Sequence, residues 1–332
     1  MSLCSITCSV TPFSAKVLKQ TEAEIHFVKT LFADLLAESL KLQKVSAPLF
    51  VEAGTGINDD LNGIELPISF KIPEYSKSKT LEIVQSLAKW KRMMLKTYDF
   101  PVGEGLYTDM RAIRPFDKID ATHSAYVDQW DWEMVISKEQ RNLSFLRETV
   151  EKIYAALKTT EKVFATKFAT IETVLPDKIT FVHTEELLDM YPHLSPSERE
   201  SEVCRKFGAV FLIGIGGKLK NGEAHDGRAP DYDDWSTPSE KSYHGLNGDI
   251  LVWHPELKSA FELSSMGIRV DEIALKKQLA LLGCEQRESL LFHAQLLKGE
   301  LPLSLGGGIG QSRLAMFLLR KKHISQVQAA VF

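Results

Sequence analysis

The chain has no apolar run approaching the roughly 18 residues that a membrane-spanning helix needs, so no membrane span is expected. It also lacks a basic excess: 40 Lys and Arg stand against 44 Asp and Glu, for a net charge of −4. A general nucleic-acid binder shows the opposite balance, so no nucleic-acid partner is expected. Cysteine is scarce. Cys4, Cys8, Cys204 and Cys284 are too scattered for a disulfide framework or a paired zinc motif. They fit reduced thiols in a cytoplasmic protein. The opening stretch MSLCSITCSVTPFSAKVLKQ has neither the long apolar segment of a secretory signal nor the arginines of a transit peptide. The patterns GxxxxGK[ST], GxSxG and HExxH are absent, which excludes a P-loop, a hydrolase elbow and a zincin site.

What is there supports a sizeable core: 332 residues, 44% hydrophobic and 25% charged. No Pro/Gly/Ser-rich linker divides the chain. The expected organisation is a flexible N-terminal extension over 1–20 and one catalytic domain over 21–332. TEAEIHFVKTLFADLLAESLKL reads as an amphipathic helix from Thr21, with Ile25, Val28, Phe32, Leu35, Leu36 and Leu40 at helical spacing. Thr21 and Glu24 make a capping-box pattern at its start. VSAPLFVEAGTGINDDLNG reads as a short strand and a polar loop. TLEIVQSLAKWKRMMLK reads as a strand ending near Val84, then a helix capped by Ser86. EGLYTDMRAIRP and HSAYVDQWDWEMVIS read as two strands. A helical stripe fills 142–169, and Ser195, Pro196 and Gly208 bound a later helix. Strands concentrate in 106–136 and 178–270, without regular β-α alternation. The expected fold is therefore α+β, a mixed, mainly antiparallel sheet flanked by helices.

Several groups could carry chemistry. SLGGGIGQSRLAMFLL places four glycines ahead of a helix bearing Arg313. Glycine lets backbone approach a ligand, a helix start exposes N–H groups, and arginine suits phosphate, so the stretch reads as an anion-binding element. In YVDQWDWE, period-two geometry puts Gln129, Asp131 and Glu133 on one face, and Asp128, Trp130 and Trp132 on the other. The polar face suits an amine and an amide or carboxylate. Arg114 sits at a strand end. Asp249 and Glu262 interrupt apolar strands and need a partner, either magnesium with phosphate or a buried ion pair. Asp231, Asp233 and Asp234 read most simply as a solvated loop. Lys91, between Lys89 and Arg92, could receive a carboxylate or lie on an exposed face.

These residues together resemble the class II aminoacyl-tRNA synthetase catalytic core. Arg114 is similar to the arginine of its second motif, and GGGIGQSRL to its third. SLAKWKR, GEGLYT, YVDQWDWE, GIGGKL, RAPDYDDWSTPSE, LNGDILVW and ELSSMGIRV extend the resemblance, more closely, to the ammonia-dependent asparagine synthetase (aspartate–ammonia ligase) family, from about Glu24 to the end. That resemblance implies ATP-dependent amidation of L-aspartate by ammonia through β-aspartyl-AMP, releasing AMP and pyrophosphate, in a homodimer using Mg2+. It implies Arg114 on the α-phosphate and attacking carboxylate, and Arg313 on the γ-phosphate. Gly308 and Gly310 would lie beneath the adenine, with Asp249 and Glu262 on magnesium or nucleotide. Asp59, Ser86, Lys91, Gln129, Asp131 and Ser265 would form the aspartate pocket, and the base would be Asp59, Asp131 or Asp233. Gln85 departs from the family, where a histidine often precedes the serine.

Three other readings compete: an aspartyl- or asparaginyl-tRNA synthetase, a non-catalytic paralogue that only binds, and a ligase using the same adenylate with glutamine as nitrogen source, for which nothing resembles a glutaminase domain. The first would need an anticodon-binding barrel, and no extra strand-rich block supplies one. The second could have lost its phosphate-binding arginines, yet Arg114 and Arg313 are both present.

Overall fold

A computed structural model of the chain describes residues 14–59, 61, 65–74, 79–168 and 171–329. Eight strands form one sheet in the order β1-β5-β6-β11-β10-β9-β8-β7. At its edges β1 (Leu42–Lys44) pairs parallel with β5 (Gly105–Ile113), and β7 (Thr180–His183) pairs parallel with β8 (Ala209–Ile213). Between them β5, β6 (Tyr126–Val135), β11 (Ser304–Gly310), β10 (Ser259–Ile268), β9 (Asn247–His254) and β8 run antiparallel. The α+β expectation holds. A small second sheet orders β2 (Phe50–Glu52), β4 (Leu81–Ile83) and β3 (Ser69–Phe70).

The helices α1 (Ala15–Leu40), α3 (Leu143–Phe168) and α8 (Gln311–Leu318) cover one face of the large sheet. Their stripes, including Val28, Phe32, Leu36, Leu146, Val150, Ile153 and Leu314, pack with Trp130, Trp132, Phe211 and Leu305 into one buried cluster. On the opposite face, α4 (Thr184–Met190) and α5 (Pro196–Phe207) close the β7–β9 end through Leu187, Val203 and Leu212. Glu198 accepts from the Ser195 backbone N–H and hydroxyl, and Gly208 ends α5 at φ 76°, as its sequence predicts. The middle of that face carries α2 (Ala88–Thr97), and here the charged residues gather.

Two boundaries differ from the sequence reading. The first helix starts at Ala15, and its cap is Ser14, whose Oγ accepts from the Val17 N–H at 3.4 Å. Residues 15–20 are helical rather than an extension. Every one of them is exposed, so this first stretch buries no apolar stripe that could reveal it; good helix formers extend the element instead. Residues 1–13 of the expected extension, with Cys4 and Cys8, lie outside the described residues. The α2 helix has Leu87 at its cap position, and Ser86 acts one residue earlier by accepting from the Ala88 N–H at 3.2 Å. Cys204 and Cys284 are both buried.

Candidate active site

The glycine run lies in a strand that leads directly into α8. Gly306, Gly307 and Gly308 lie within β11, paired with Glu133, Trp132 and Asp131 of β6. A Cβ on Gly306 would stand 1.9 Å from Glu133 Oε2, and one on Gly308 would stand 2.4 Å from Gln129 Oε1. The glycines thus make room for the polar side chains of the neighbouring strand and form a floor between β6 and β10. Register then assembles a row: Asp131 pairs with Gly308, Gly308 with Ser265, and Ser265 with Asp249. Strands lie about 4.8 Å apart, so the gap above Gly308 is flanked by Asp131 and Ser265. A bulge between Glu262 and Ser264 lets Glu262 and Ser265 reach the same cavity despite their odd spacing.

Two cavities open on this floor. One, of about 210 Å3, is lined by Asp59, Ser86, Lys91, Arg114, Gln129, Asp131, Asp233, Glu262, Ser265 and Gly308, together with Arg228 and Arg269. The other, of about 400 Å3, is lined by Arg114, His123, Gln129, Glu262, Gly308, Gly310 and Arg313. Arg114, Gln129, Glu262 and Gly308 belong to both, so the cavities adjoin. Of the residues that the family resemblance assigns to the site, Asp249 alone lines neither; it stands beside the first, bonded to Ser265 Oγ and Arg228 Nη2 at 2.6 Å each.

The smaller cavity is wired by ion pairs. Lys91 Nζ donates to the Gly307 carbonyl at 2.9 Å and lies 3.2 Å from Asp131 Oδ1 and 4.0 Å from Glu133 Oε2. Burial lowers its pKa, against Asp131 and Glu133, which hold the proton on. Asp131 Oδ2 is buried with no hydrogen-bond partner among the described residues. Arg269 grips Glu133 at 2.8–3.1 Å and also pairs with Asp233. Burial raises the Glu133 pKa, but Arg269, Lys91 and Ser304 outweigh it and hold the carboxyl ionised. Arg228 donates to Ser265 and Asp249 and stands 3.5 Å from Asp233 Oδ2. Burial and the nearby Glu262 push the Asp249 carboxyl up to about 7, against Arg228 and Ser265.

The larger cavity holds its cations more loosely. Arg114 Nε donates to the Gln85 carbonyl at 3.1 Å. Arg313 donates to the Glu262 carbonyl at 2.8 Å and to His123 Nε2 at 2.8 Å, and its guanidinium lies 5.4 Å from the Phe261 ring centre. The N-terminal turn of α8 is not an open anion site, because Asp128 Oδ1 already accepts from the Ser312 N–H at 2.9 Å. Asp128 also pairs with Lys29 of α1 at 2.7 Å. The contribution of this element to the cavity is therefore the Arg313 side chain and the glycine floor.

Three other expectations change. Asp231, Asp233 and Asp234 are buried, not solvated: Asp231 meets Lys89, His293 and Arg287, Asp233 meets Arg269 and Arg228, and Asp234 pairs with Arg141. Lys89, Lys91 and Arg92 are buried as well, so the exposed-face alternative falls. Burial lowers Arg92 to about 10, and it donates to the carbonyls of Pro302 and Val270. Gln85 is fully buried and braces the Asp59 loop, its Nε2 donating to the Asp59 carbonyl at 2.8 Å and the Glu65 carbonyl at 3.2 Å. Arg228, Arg269 and His123 were not legible as site residues. A buried arginine needs carboxylate partners, and these come from strands far apart in sequence.

The sheet order defines a class of fold, and comparison with solved structures agrees. Asparaginyl-tRNA synthetase from Pyrococcus horikoshii complexed with asparaginyl-adenylate matches with TM-score 0.69 at 14% identity, covering 93% of this chain and 68% of that one. Aspartyl-tRNA synthetase from Entamoeba histolytica matches with TM-score 0.61 at 14% identity, covering 98% and 64%. The fold is that of the class II aminoacyl-tRNA synthetase catalytic core. Within it the sequence is more specific. The profile described as aspartate-ammonia ligase matches residues 19–332. Proteins named aspartate–ammonia ligase from two strains of Clostridium perfringens, SM101 and 13, are each 55% identical over 318 residues, 95% of this chain and 91% of theirs. This chain belongs to the aspartate–ammonia ligase family and is an enzyme, a ligase.

Proposed function

We propose that the chain makes L-asparagine from L-aspartate, ammonia and ATP, releasing AMP and pyrophosphate. The observation that carries this reading is the pair of adjoining cavities over one glycine floor, with Arg114 on their boundary and Arg313 across the larger one. Aspartate fits the smaller cavity. Its α-ammonium goes to Asp131 Oδ2, a buried acceptor without a partner among the described residues. Lys91, Gln129, Ser86 and Ser265 supply donors for its carboxylates. ATP fits the larger cavity, over Gly308 and Gly310. The β-carboxylate attacks the α-phosphorus, the bond to pyrophosphate breaks, and β-aspartyl-AMP forms. Arg114 meets both the α-phosphate and the attacking oxygen, and Arg313 meets the γ-phosphate. Fixed guanidinium groups aimed at developing charge lower the barrier without reorganising at the moment of reaction. Ammonia then attacks the acyl carbon and AMP leaves with the electron pair.

Among the three candidate bases, Asp233 has its two oxygens turned to Arg269 and Arg228. It braces those guanidinium groups, and Asp131 is taken by Lys91 and the α-ammonium, which leaves Asp59 for the incoming nitrogen. Magnesium would be held by Glu262, which lines both cavities, and by Asp249, whose Oδ1 is bonded to Arg228 Nη2 and Ser265 Oγ at 2.6 Å each and whose Oδ2 would be the oxygen offered to the metal. Among the described residues no group of three or more His, Cys, Asp and Glu is arranged for a metal. Protein would thus give at most these two ligands, with phosphate and water as the others, a pattern magnesium favours. Bound there, it would neutralise triphosphate charge.

The catalytic unit acts as a single domain, in a homodimer in the cytoplasm. Among the described residues no helix is long and apolar enough to cross a membrane. The test is aspartate-dependent ATP–pyrophosphate exchange, then asparagine on adding ammonium. Exchange with tRNA charging and no asparagine would support the synthetase reading instead. No exchange would reduce the chain to a binding protein. Sedimentation of the purified chain as a monomer would remove the dimer.

A further inference from the structure

Beyond the Asp59 loop lies a third cavity, of about 180 Å3, that neither adenylation nor amide formation has yet called on. Asp59 lines both it and the aspartate pocket, so the two meet at that side chain. Its walls carry four carboxylates, Glu52, Asp59, Glu82 and Asp231, against Lys89 and Arg287, with Lys79 paired to Glu52 at 2.5 Å, which leaves one carboxylate in excess. The volume holds a few water-sized molecules, and the charge balance favours a small cation.

At its base is a histidine–carboxylate pair. His293 is fully buried, and its Nε2 lies 2.9 Å from Asp231 Oδ2. An N–H donated to a carboxylate fixes the tautomer and leaves Nδ1 with a lone pair. That Nδ1 is buried with no hydrogen-bond partner among the described residues. Gly56 keeps its surroundings open, since a Cβ there would stand 2.9 Å from Nδ1. Asp231 is raised by burial, but Lys89, His293 and Arg287 outweigh this and hold it ionised, well below the usual carboxylate range.

We infer that this cavity receives ammonium and that His293, oriented by Asp231, takes its proton before the nitrogen passes Asp59 to the acyl-adenylate. Ammonium has no lone pair and cannot attack. Its N–H bond breaks toward His293 Nδ1, leaving ammonia. The ammonia lone pair forms the C–N bond, the C–O bond to AMP breaks, and the second proton shed by nitrogen goes to Asp59. His293 returns its proton to solvent. This inference rests on the amidation reading above and adds the site where the nitrogen donor is admitted.

The test separates nucleophiles. His293→Gln keeps a donor to Asp231 and removes the base. Aspartate-dependent exchange should persist, asparagine formation from ammonium should fall about a hundredfold or more, and hydroxamate formation from hydroxylamine, which is largely unprotonated at neutral pH, should persist. Raising the pH should restore the ammonium reaction in step with free ammonia. Equal loss with both nucleophiles while exchange persists, or no loss with either, would overturn the inference and leave the amidation reading standing. Absence of exchange in the unaltered chain would overturn both. Should His293→Gln not fold, Glu82→Gln, at a half-buried wall position, should raise the KM for ammonium several-fold and leave the KM for aspartate alone; an unchanged ammonium KM would count against the cavity.

Discussion

Strand β6 sends Trp130 and Trp132 to one side of the sheet and Gln129, Asp131 and Glu133 to the other, and the two sides are held by different forces. On the first, Trp130 packs with Phe32 of α1 at 4.8 Å between ring centres, inside a cluster that also gathers α3 and α8. Its stability comes from apolar area removed from water. On the second, glycines replace side chains, and buried charges are matched to partners of opposite sign: Lys91 with Asp131, Arg269 with Glu133 and Asp233, Arg228 with Asp249. Such pairs add little net stability, because desolvation offsets attraction. They fix charge in place for a ligand. Alternate residues of a single strand therefore divide the work: one set folds the chain, the other binds.

Substitutions on the two sides should separate these roles. The largest effect on folding is expected from Trp130→Ala, a loss of about 3–5 kcal/mol in denaturant unfolding. Activity per folded molecule should change far less. The reverse is expected of Arg313→Ala: exchange should fall roughly 10²–10³-fold with the unfolding midpoint nearly unchanged. If both variants lose stability and activity together, the division is wrong. Gly306→Ala puts a methyl where Glu133 Oε2 already sits, 1.9 Å away. It should cost stability toward the upper end of about 1–3 kcal/mol and also impair aspartate binding, since Glu133 holds Arg269.

The smallest effect sharpens the contrast in pH. His254 lies fully buried on the apolar side, edge-on to Phe261 and Phe317, and burial with Arg320 lowers its pKa to about 4. The unfolded chain takes up a proton below about 6.5 that the folded ring refuses. The stability tied to this ring is present above that pH and is lost as pH falls toward 4. His254→Leu should flatten the acid limb of the unfolding profile, by on the order of 2 kcal/mol near pH 5. An unchanged limb would show that the ring does not stay neutral.

The division between faces was partly legible in the sequence. Period-two alternation alone separated Trp130 and Trp132 from Gln129, Asp131 and Glu133, and helical spacing identified the stripes of α1 and α3. Ten of the residues singled out do meet in one cavity. What stayed hidden depends on pairing across the chain. GGG reads as an anion-binding element until Glu133 and Gln129 are seen to need its space. Asp231 and Asp233 read as solvated until Lys89, His293, Arg269 and Arg228 arrive from elsewhere. Asp128 caps α8 from 184 positions away, which no local pattern announces.

One structure would test the central claim most directly: the chain crystallised with ATP or AMP in the presence of aspartate. The α-phosphate should be within hydrogen-bonding distance of Arg114 and, with ATP, the terminal phosphate within reach of Arg313, both above Gly308. A nucleotide seated away from that glycine floor, with either guanidinium still turned only to its protein partners, would contradict the account.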